Sequence, residues 1–217
     1  MIPKMRQHQI YDTFLQNKEK LTDPQWLEDF IRPHCKITRM GWRGMRPWII
    51  QFPKEFVAWL MLLRERQVKT YVEIGTSTGG TFYFTDSYLR ATVPGYIGAV
   101  GFDLRDKLRN FDLYKPVFPA TEFYHMNSKD INLGDRQFDA GFIDARHEEA
   151  WVHQDFGKLK NNCRIVGFHD IVLHQSTVHL AWSAIKASHE KHWEFIDYSA
   201  PAEARCGIGA VELRNAF

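Results

Sequence analysis

Residues 70–80 read Thr70-Tyr71-Val72-Glu73-Ile74-Gly75-Thr76-Ser77-Thr78-Gly79-Gly80. Thr70 to Ile74 is rich in β-forming residues and predicts a short strand. An acid, Glu73, stands near its end; Gly75, Gly79 and Gly80 follow, and a helical stretch runs on to about Arg90. Glycine lets the chain turn sharply and approach a ligand closely. A helix that opens directly after the turn offers free N–H groups to an anionic part of that ligand. Three ligand classes use such a turn: dinucleotides, phosphates and S-adenosylmethionine. Glu73, Gly75, Thr76, Ser77, Gly79 and Gly80 are therefore candidate cofactor-binding residues.

The spacing discriminates among the three. A dinucleotide fingerprint needs a second glycine where this chain has Ser77, so that the pyrophosphate can reach the backbone. A phosphate loop ends in Gly-Lys-Ser/Thr, whereas Gly80 is followed by Thr81. Glu73 is unhelpful beside phosphates and useful beside a cationic amino group, which points to a ligand with an amino-acid portion. Gly75-Thr-Ser77-Thr-Gly79 also spells the nucleophile elbow of the α/β-hydrolases. Such an elbow follows several earlier strands, and the upstream chain here reads as helical, without a His-Gly-Gly-Gly oxyanion sequence.

Outward from the turn, short apolar runs alternate with helical stretches, the pattern of a parallel α/β sheet. Strands are expected at 70–74, 96–103, 122–127, 138–144, 164–169, 193–198 and 208–213, with helices over about 148–159 and 177–191. The last two strands have no helix between them, so an antiparallel edge is expected. The fold class read from this pattern is α/β: a Rossmann-like, seven-stranded, mostly parallel sheet with an antiparallel last strand and an N-terminal helical extension. The division falls at about residue 68, with an extension and lid over 1–68 and the cofactor-binding domain over 69–217. In the extension, Thr22-Asp23-Pro24 predicts a helix start. Met40 to Pro47, with Trp42, Arg43 and Arg46, reads as a loop or lid. Phe56, Val57, Leu60 and Leu63 recur at helical spacing over 53–66, so that helix should pack on the sheet.

The 217 residues suit one α/β domain with an extension and need no disulfides for a core. A net charge of +2 argues against strong non-specific nucleic-acid binding. Cys35, Cys163 and Cys206 are odd in number and widely spaced, which disfavours a disulfide framework and fits a reducing cytosol, hence a cytoplasmic protein with buried free thiols. Met1 to Lys20 lacks the apolar segment of a signal peptide. The most apolar run, Phe56 to Leu63, is short of the about 20 residues that span a bilayer.

Further chemistry gathers at strand ends, which open α/β sheets bring to one edge. Gly101-Phe102-Asp103 places an acid where it can accept hydrogen bonds from ribose hydroxyls; a plain strand-end aspartate is the bland alternative. His125, Asn127 and Ser128 end the third strand, where an adenine ring could lie; plain strand-end polarity is the equal alternative. Phe142-Ile-Asp144-Ala-Arg-His147 and Phe168-His169-Asp170 end two very apolar strands. Asp144, His169 and Asp170 form a candidate divalent-cation site. Hard magnesium prefers all-oxygen ligands, and manganese, iron or zinc accept imidazole better. His147, with an ordinary pKa near 6.5, is the candidate catalytic general base.

These residues together resemble the class I S-adenosylmethionine-dependent methyltransferases. More narrowly, they resemble the O-methyltransferase group that includes the cephalosporin hydroxylase-like and macrolide-sugar enzymes. The likeness runs from about residue 50 to the end. It rests on Gln51-x-Pro53, Glu73-Ile-Gly75 with Gly79-Gly80, Asp103, Phe142-Ile-Asp144-x-x-His147, His169-Asp170 and Gly207-Ile-Gly209. It implies that the Gly75 turn holds the methionine end of S-adenosylmethionine and Asp103 the ribose. It further implies that Asp144, Asp170 and residue 169 ligate a cation, magnesium or manganese, and that His147 deprotonates the acceptor hydroxyl. Sugar-modifying relatives tend to carry an acid where this chain has His169, a departure that bears on the identity of the metal.

The leading expectation is an O-methyltransferase acting on a small hydroxylated molecule or sugar, with no membrane association and with the N-terminal helices available for homo-oligomer contacts. The rivals are a nucleotide-dependent oxidoreductase, a non-catalytic binding module on the same fold, and a serine hydrolase acting through Ser77.

Overall fold

The computed structural model describes residues 7–35, 49, 51–106 and 111–213. Helices α1 (Gln7–Gln16), α2 (Pro24–Ile31) and α3 (Pro53–Glu65) precede the first strand, β1 (Thr70–Ile74). Then come α4 (Gly80–Thr92), β2 (Gly98–Asp103), α5 (Phe111–Tyr114), β3 (Glu122–His125), β4 (Phe138–Ile143) and α6 (Glu149–Leu159). The chain closes with β5 (Cys163–His169), α7 (Val178–Ala187), β6 (His192–Phe195) and β7 (Ile208–Glu212). The expected start of α2 is present: Asp23 caps it, its carboxylate accepting the N–H groups of Gln25 and Trp26, with Pro24 as first helical residue.

The seven strands form one sheet in the order β3-β2-β1-β4-β5-β7-β6. Pairings among β1 to β5 are parallel, and β7 is antiparallel to both β5 and β6. The expected Rossmann-like sheet with an antiparallel last strand is what forms. The antiparallel strand is not itself the edge. β7 is buried from Ile208 to Val211 and lies inside, while the half-exposed β6 takes the edge. Three other boundaries move by local chemistry. β2 starts at Gly98 because the Tyr96 hydroxyl is drawn to Asp86, at 2.7 Å. β3 stops at His125 because Asn127 caps a short 3-10 turn, Ser128–Asp130. α7 stops at Ala187, where the Ser188 hydroxyl donates back to the Ile185 carbonyl at 2.8 Å.

Helices cover both faces of the sheet. On one, Trp59 of α3 meets Phe142 of β4 with ring centroids 5.4 Å apart, so α3 packs on the sheet as its periodicity predicts. Phe14 of α1 reaches Phe84 and Tyr88 of α4, and the Tyr88 hydroxyl donates to the Leu21 carbonyl. The N-terminal helices thus share one apolar core with α3 and α4. On the other face, Val152, Phe156 and Leu159 of α6 and Ala181, Trp182 and Ile185 of α7 close over Val72, Val100 and Val166. A fully buried valine, leucine or isoleucine among them contributes about 1.5–3 kcal/mol. This double cover leaves the carboxyl ends of β1 and β4 open at the point where strand order reverses, the place where open α/β sheets bind ligands. No helix among the described residues is long and apolar enough to cross a membrane.

Candidate active site

The turn after β1 is built around close backbone approach. Gly75 adopts φ +98°, and a Cβ there would lie 2.3 Å from the Asp144 carbonyl oxygen. Gly75 N–H and Thr76 N–H both donate to the Phe102 carbonyl, at 2.8 and 3.3 Å. Ser77 also has positive φ, +50°, and its N–H donates to Asp103 Oδ2 at 2.7 Å. Gly79, at φ +91°, caps α4, and Gly80 is its first residue. The Asp103 Oδ1 atom accepts the Arg105 N–H at 2.8 Å, so two backbone donors fix this carboxylate across the mouth of the turn.

A cleft of about 450 Å³ opens there. Gly75, Ser77, Asp103, Ser128, Asp144 and His147 line it, as expected of residues drawn from four strand ends. Glu73, Thr76, Gly79 and Gly80 do not. Thr76 packs its methyl towards Gly101, and the two glycines shape the turn from behind. Glu73 lies wholly buried beneath the turn; one oxygen accepts the Tyr71 hydroxyl at 2.8 Å and the other has no hydrogen-bond partner. Burial pushes its carboxyl well above the usual range, with Asp144 and Asp103 adding repulsion. His125 is exposed, its ring bonded to the Leu104 carbonyl, and does not line the cleft. Arg146 and Trp151 do line it, the guanidinium 4.4 Å from the indole centroid, a pair the sequence reading did not single out. The Met40–Pro47 loop lies outside the described residues.

Behind the cleft stands an acid–histidine cluster. His147 bridges two carboxylates: Nδ1 is 2.5 Å from Asp170 Oδ2 and Nε2 is 3.6 Å from Asp144 Oδ1. His169 Nδ1 lies 3.1 Å from both Asp144 Oδ1 and Asp170 Oδ1. Asp144 Oδ2 accepts the Gln51 side-chain amide at 2.8 Å, and Gln51 is fixed in turn by the Thr81 hydroxyl at 2.6 Å. Gln51 was legible only as part of a resembling segment. Its partner lies 93 residues away, which no local pattern reveals.

The electrostatics follow from this packing. The Asp144 and Asp170 carboxylates that face its ring nitrogens push the His147 pKa up to about 10, against a smaller opposing effect of burial. Burial opposes the charged form of His169, and the two carboxylates outweigh it, so its pKa is also raised. Burial alone would raise the Asp144 carboxyl; the two imidazoliums hold it well below the usual range. Without a cation, His147 is therefore charged at neutral pH.

Not all donors in the cluster are satisfied. His169 Nε2 and both Asp170 oxygens are buried without a hydrogen bond of acceptable geometry, despite the short approaches to Asp170. Among the described residues, the group whose ligand atoms lie within 4.8 Å of one another is His169, Asp170 and Cys206. Asp144 is not part of it. The donor set fits a divalent cation, and one of its members, Cys206, was expected only as one of three buried free thiols; all three are indeed free and buried. Ser77 Oγ makes no hydrogen bond to a histidine among the described residues, so the hydrolase triad is not assembled.

No protein-family model and no curated protein matches the sequence. Solved structures do match in fold. The O-methyltransferase TomG from Streptomyces achromogenes, involved in tomaymycin synthesis and in complex with SAM, aligns with a TM-score of 0.56 at 16% identity, covering 76% of this chain and 82% of its own. An O-methyltransferase from Bacillus cereus in complex with SAH aligns with a TM-score of 0.55 at 14% identity, over 89% and 90%. The N-methyltransferase NodS from Bradyrhizobium japonicum, in complex with SAH, aligns with a TM-score of 0.52 at 8% identity, over 74% and 88%. The fold is that of the class I S-adenosylmethionine-dependent methyltransferases.

Proposed function

We propose that this chain transfers the methyl group of S-adenosylmethionine to a hydroxyl of a small molecule, sugars included. The observation that carries the reading is that Asp144 and His147 belong both to the switch-point cleft and to the acid–histidine cluster. Cofactor and proton-handling groups thereby share one wall.

In this reading the turn from Gly75 to Gly80 receives the methionine end, Asp103 the ribose hydroxyls, and Ser128 the adenine side. Glu73 acts from beneath, as support for the turn. The extension over 1–68 contributes the lid on the acceptor side. The methyl carbon is already electrophilic on its sulfonium, so the protein supplies alignment and a destination for one proton. The acceptor oxygen forms a bond to the methyl carbon, the carbon–sulfur bond breaks, and the hydroxyl proton passes to His147 Nε2, the nitrogen with the looser contact. That role requires a neutral imidazole. His169 and Asp170, near Asp144, would hold a divalent cation, which offsets the carboxylate charge that keeps His147 protonated and lowers the acceptor's pKa.

The experiment is a calorimetric titration with S-adenosylmethionine, with magnesium or manganese and after chelation, followed by methyl transfer to a panel of hydroxylated acceptors. Micromolar binding with transfer to oxygen is expected. No binding under any condition sinks the reading, and transfer to nitrogen only would correct it towards the N-methyltransferases that share the fold.

A further inference from the structure

Cys206 enters the cluster from the loop that leads into β7, the one antiparallel strand. Because β7 runs against β5, its beginning rather than its end lies at the carboxyl edge of the sheet. Ile171 N–H donates to the Gly207 carbonyl at 3.4 Å and Val172 N–H to the Cys206 carbonyl at 3.0 Å, which seats Cys206 beside Asp170. From α3, the buried Glu55 carboxylate accepts the Gly207 and Asp197 N–H groups, at 3.1 and 2.9 Å, and holds the same segment from the other side. Asp170 itself turns through φ +62°, a conformation uncommon for a side-chain-bearing residue and more often met at functional sites.

The side chains so gathered are chemically incomplete. His169 is 4% exposed and Asp170 2%, yet His169 Nε2 and both Asp170 oxygens lack hydrogen bonds. Buried polar atoms without partners are uncommon in folded proteins; His169 Nε2 is one, beside a buried thiol, and the Asp170 oxygens are met only by the ion-pair approaches of His147 and His169. The other nitrogen of His169 faces Asp144 Oδ1, its hydrogen-bond partner, and Asp170 Oδ1, each at 3.1 Å. That is the usual arrangement of a metal-bound histidine, whose second N–H is held by a carboxylate.

We infer that His169, Asp170 and Cys206 bind a zinc-class divalent cation, with Cys206 as a thiolate ligand. This rests on the proposed cation at the cluster and is independent of methyl transfer. It moves Asp144 out of contact with the ion and makes it the group that orients His169. Thiolate, imidazole and carboxylate together are a borderline-soft set, suited to zinc and ill-suited to magnesium. Around a tetrahedral zinc ion such donors stand roughly 3.5 Å apart, so small side-chain rotations from the present spacing close the site. Three protein ligands leave the fourth position open, as in catalytic rather than structural zinc sites.

Cobalt titrated into the chelated protein is the probe. The expected result is a near-ultraviolet thiolate-to-cobalt band and four-coordinate visible bands, displaced by zinc and not by magnesium. Cys206→Ser should lose the thiolate band, and Cys35→Ser and Cys163→Ser should keep it. X-ray absorption of the zinc-loaded wild type needs no variant and should show one sulfur at about 2.3 Å. An all-nitrogen-and-oxygen shell, or a thiolate band that survives in Cys206→Ser, overturns the inference. S-adenosylmethionine titrated into the same wild-type sample separates the two readings: a thiolate band without cofactor binding sinks the methyltransferase and leaves the zinc site standing.

Discussion

The Cβ that Gly75 lacks would sit 2.3 Å from the carbonyl oxygen of Asp144, so the turn after β1 and the chain after β4 touch through bare backbone. Gly75→Ala must push β1 and β4 apart and also place alanine at φ +98°. Left-handed strain and overpacking together should cost about 2–4 kcal/mol. Urea unfolding should show that loss, and calorimetry should show no measurable S-adenosylmethionine binding. A variant as stable as wild type would mean that the two strand ends are not in contact.

Asp103 both pins Ser77 N–H and faces the cleft. Asp103→Asn keeps the size and removes the charge that strengthens its hydrogen bonds, which are worth about 1.5–3 kcal/mol each. Cofactor affinity should fall about 10- to 100-fold, read by the same titration. Unchanged affinity would remove Asp103 from the ribose site.

Gln51 links Thr81 to Asp144. Gln51→Leu leaves a buried hydroxyl and a carboxylate oxygen unpaired, at about 1–3 kcal/mol. The melting temperature should drop and turnover should fall more than cofactor binding. A variant with wild-type turnover would reduce Gln51 to packing.

His147→Ala should nearly abolish methyl transfer with cofactor affinity almost unchanged. A fully active variant would remove His147 from the mechanism.

The raised pKa of His147 also makes a stability prediction with a definite sign. In the folded, cation-free protein the group titrates near 10, against 6.5 for its ordinary value. Its stabilising contribution is complete below pH 6.5, declines above it, and is gone once pH passes about 10. Thermal melts under chelation should show the advantage of wild type over His147→Gln shrinking from pH 7 to pH 10. An advantage that grows with pH would mean that the imidazole is neutral as folded.

Sheet, turn and most of the cluster were legible because their signals are local. β-forming runs and glycine punctuation fix strand and turn within a dozen residues. The rule that parallel strands end at one edge then brings Asp103, Asp144, His147, His169 and Asp170 together without coordinates. The same rule misleads for Glu73. Its position before the turn suggests a cofactor contact, but strand alternation turns its side chain under the turn into the helix-covered core, where burial raises its carboxyl pKa.

The sequence by itself determined the fold class, the glycine-rich turn and the sheet edge at which the candidate site gathers, since each is written in short-range periodicity and in residue types with restricted backbone preferences. Tertiary structure alone decided which donors meet. Gln51 reaches Asp144 from before α3, and Cys206 reaches His169 because β7 runs antiparallel and so brings the loop before it, not the chain after it, to the carboxyl edge. Strand direction is set by how the whole sheet packs, through contacts between residues far apart in sequence, and no local pattern around a single glutamine or cysteine encodes it.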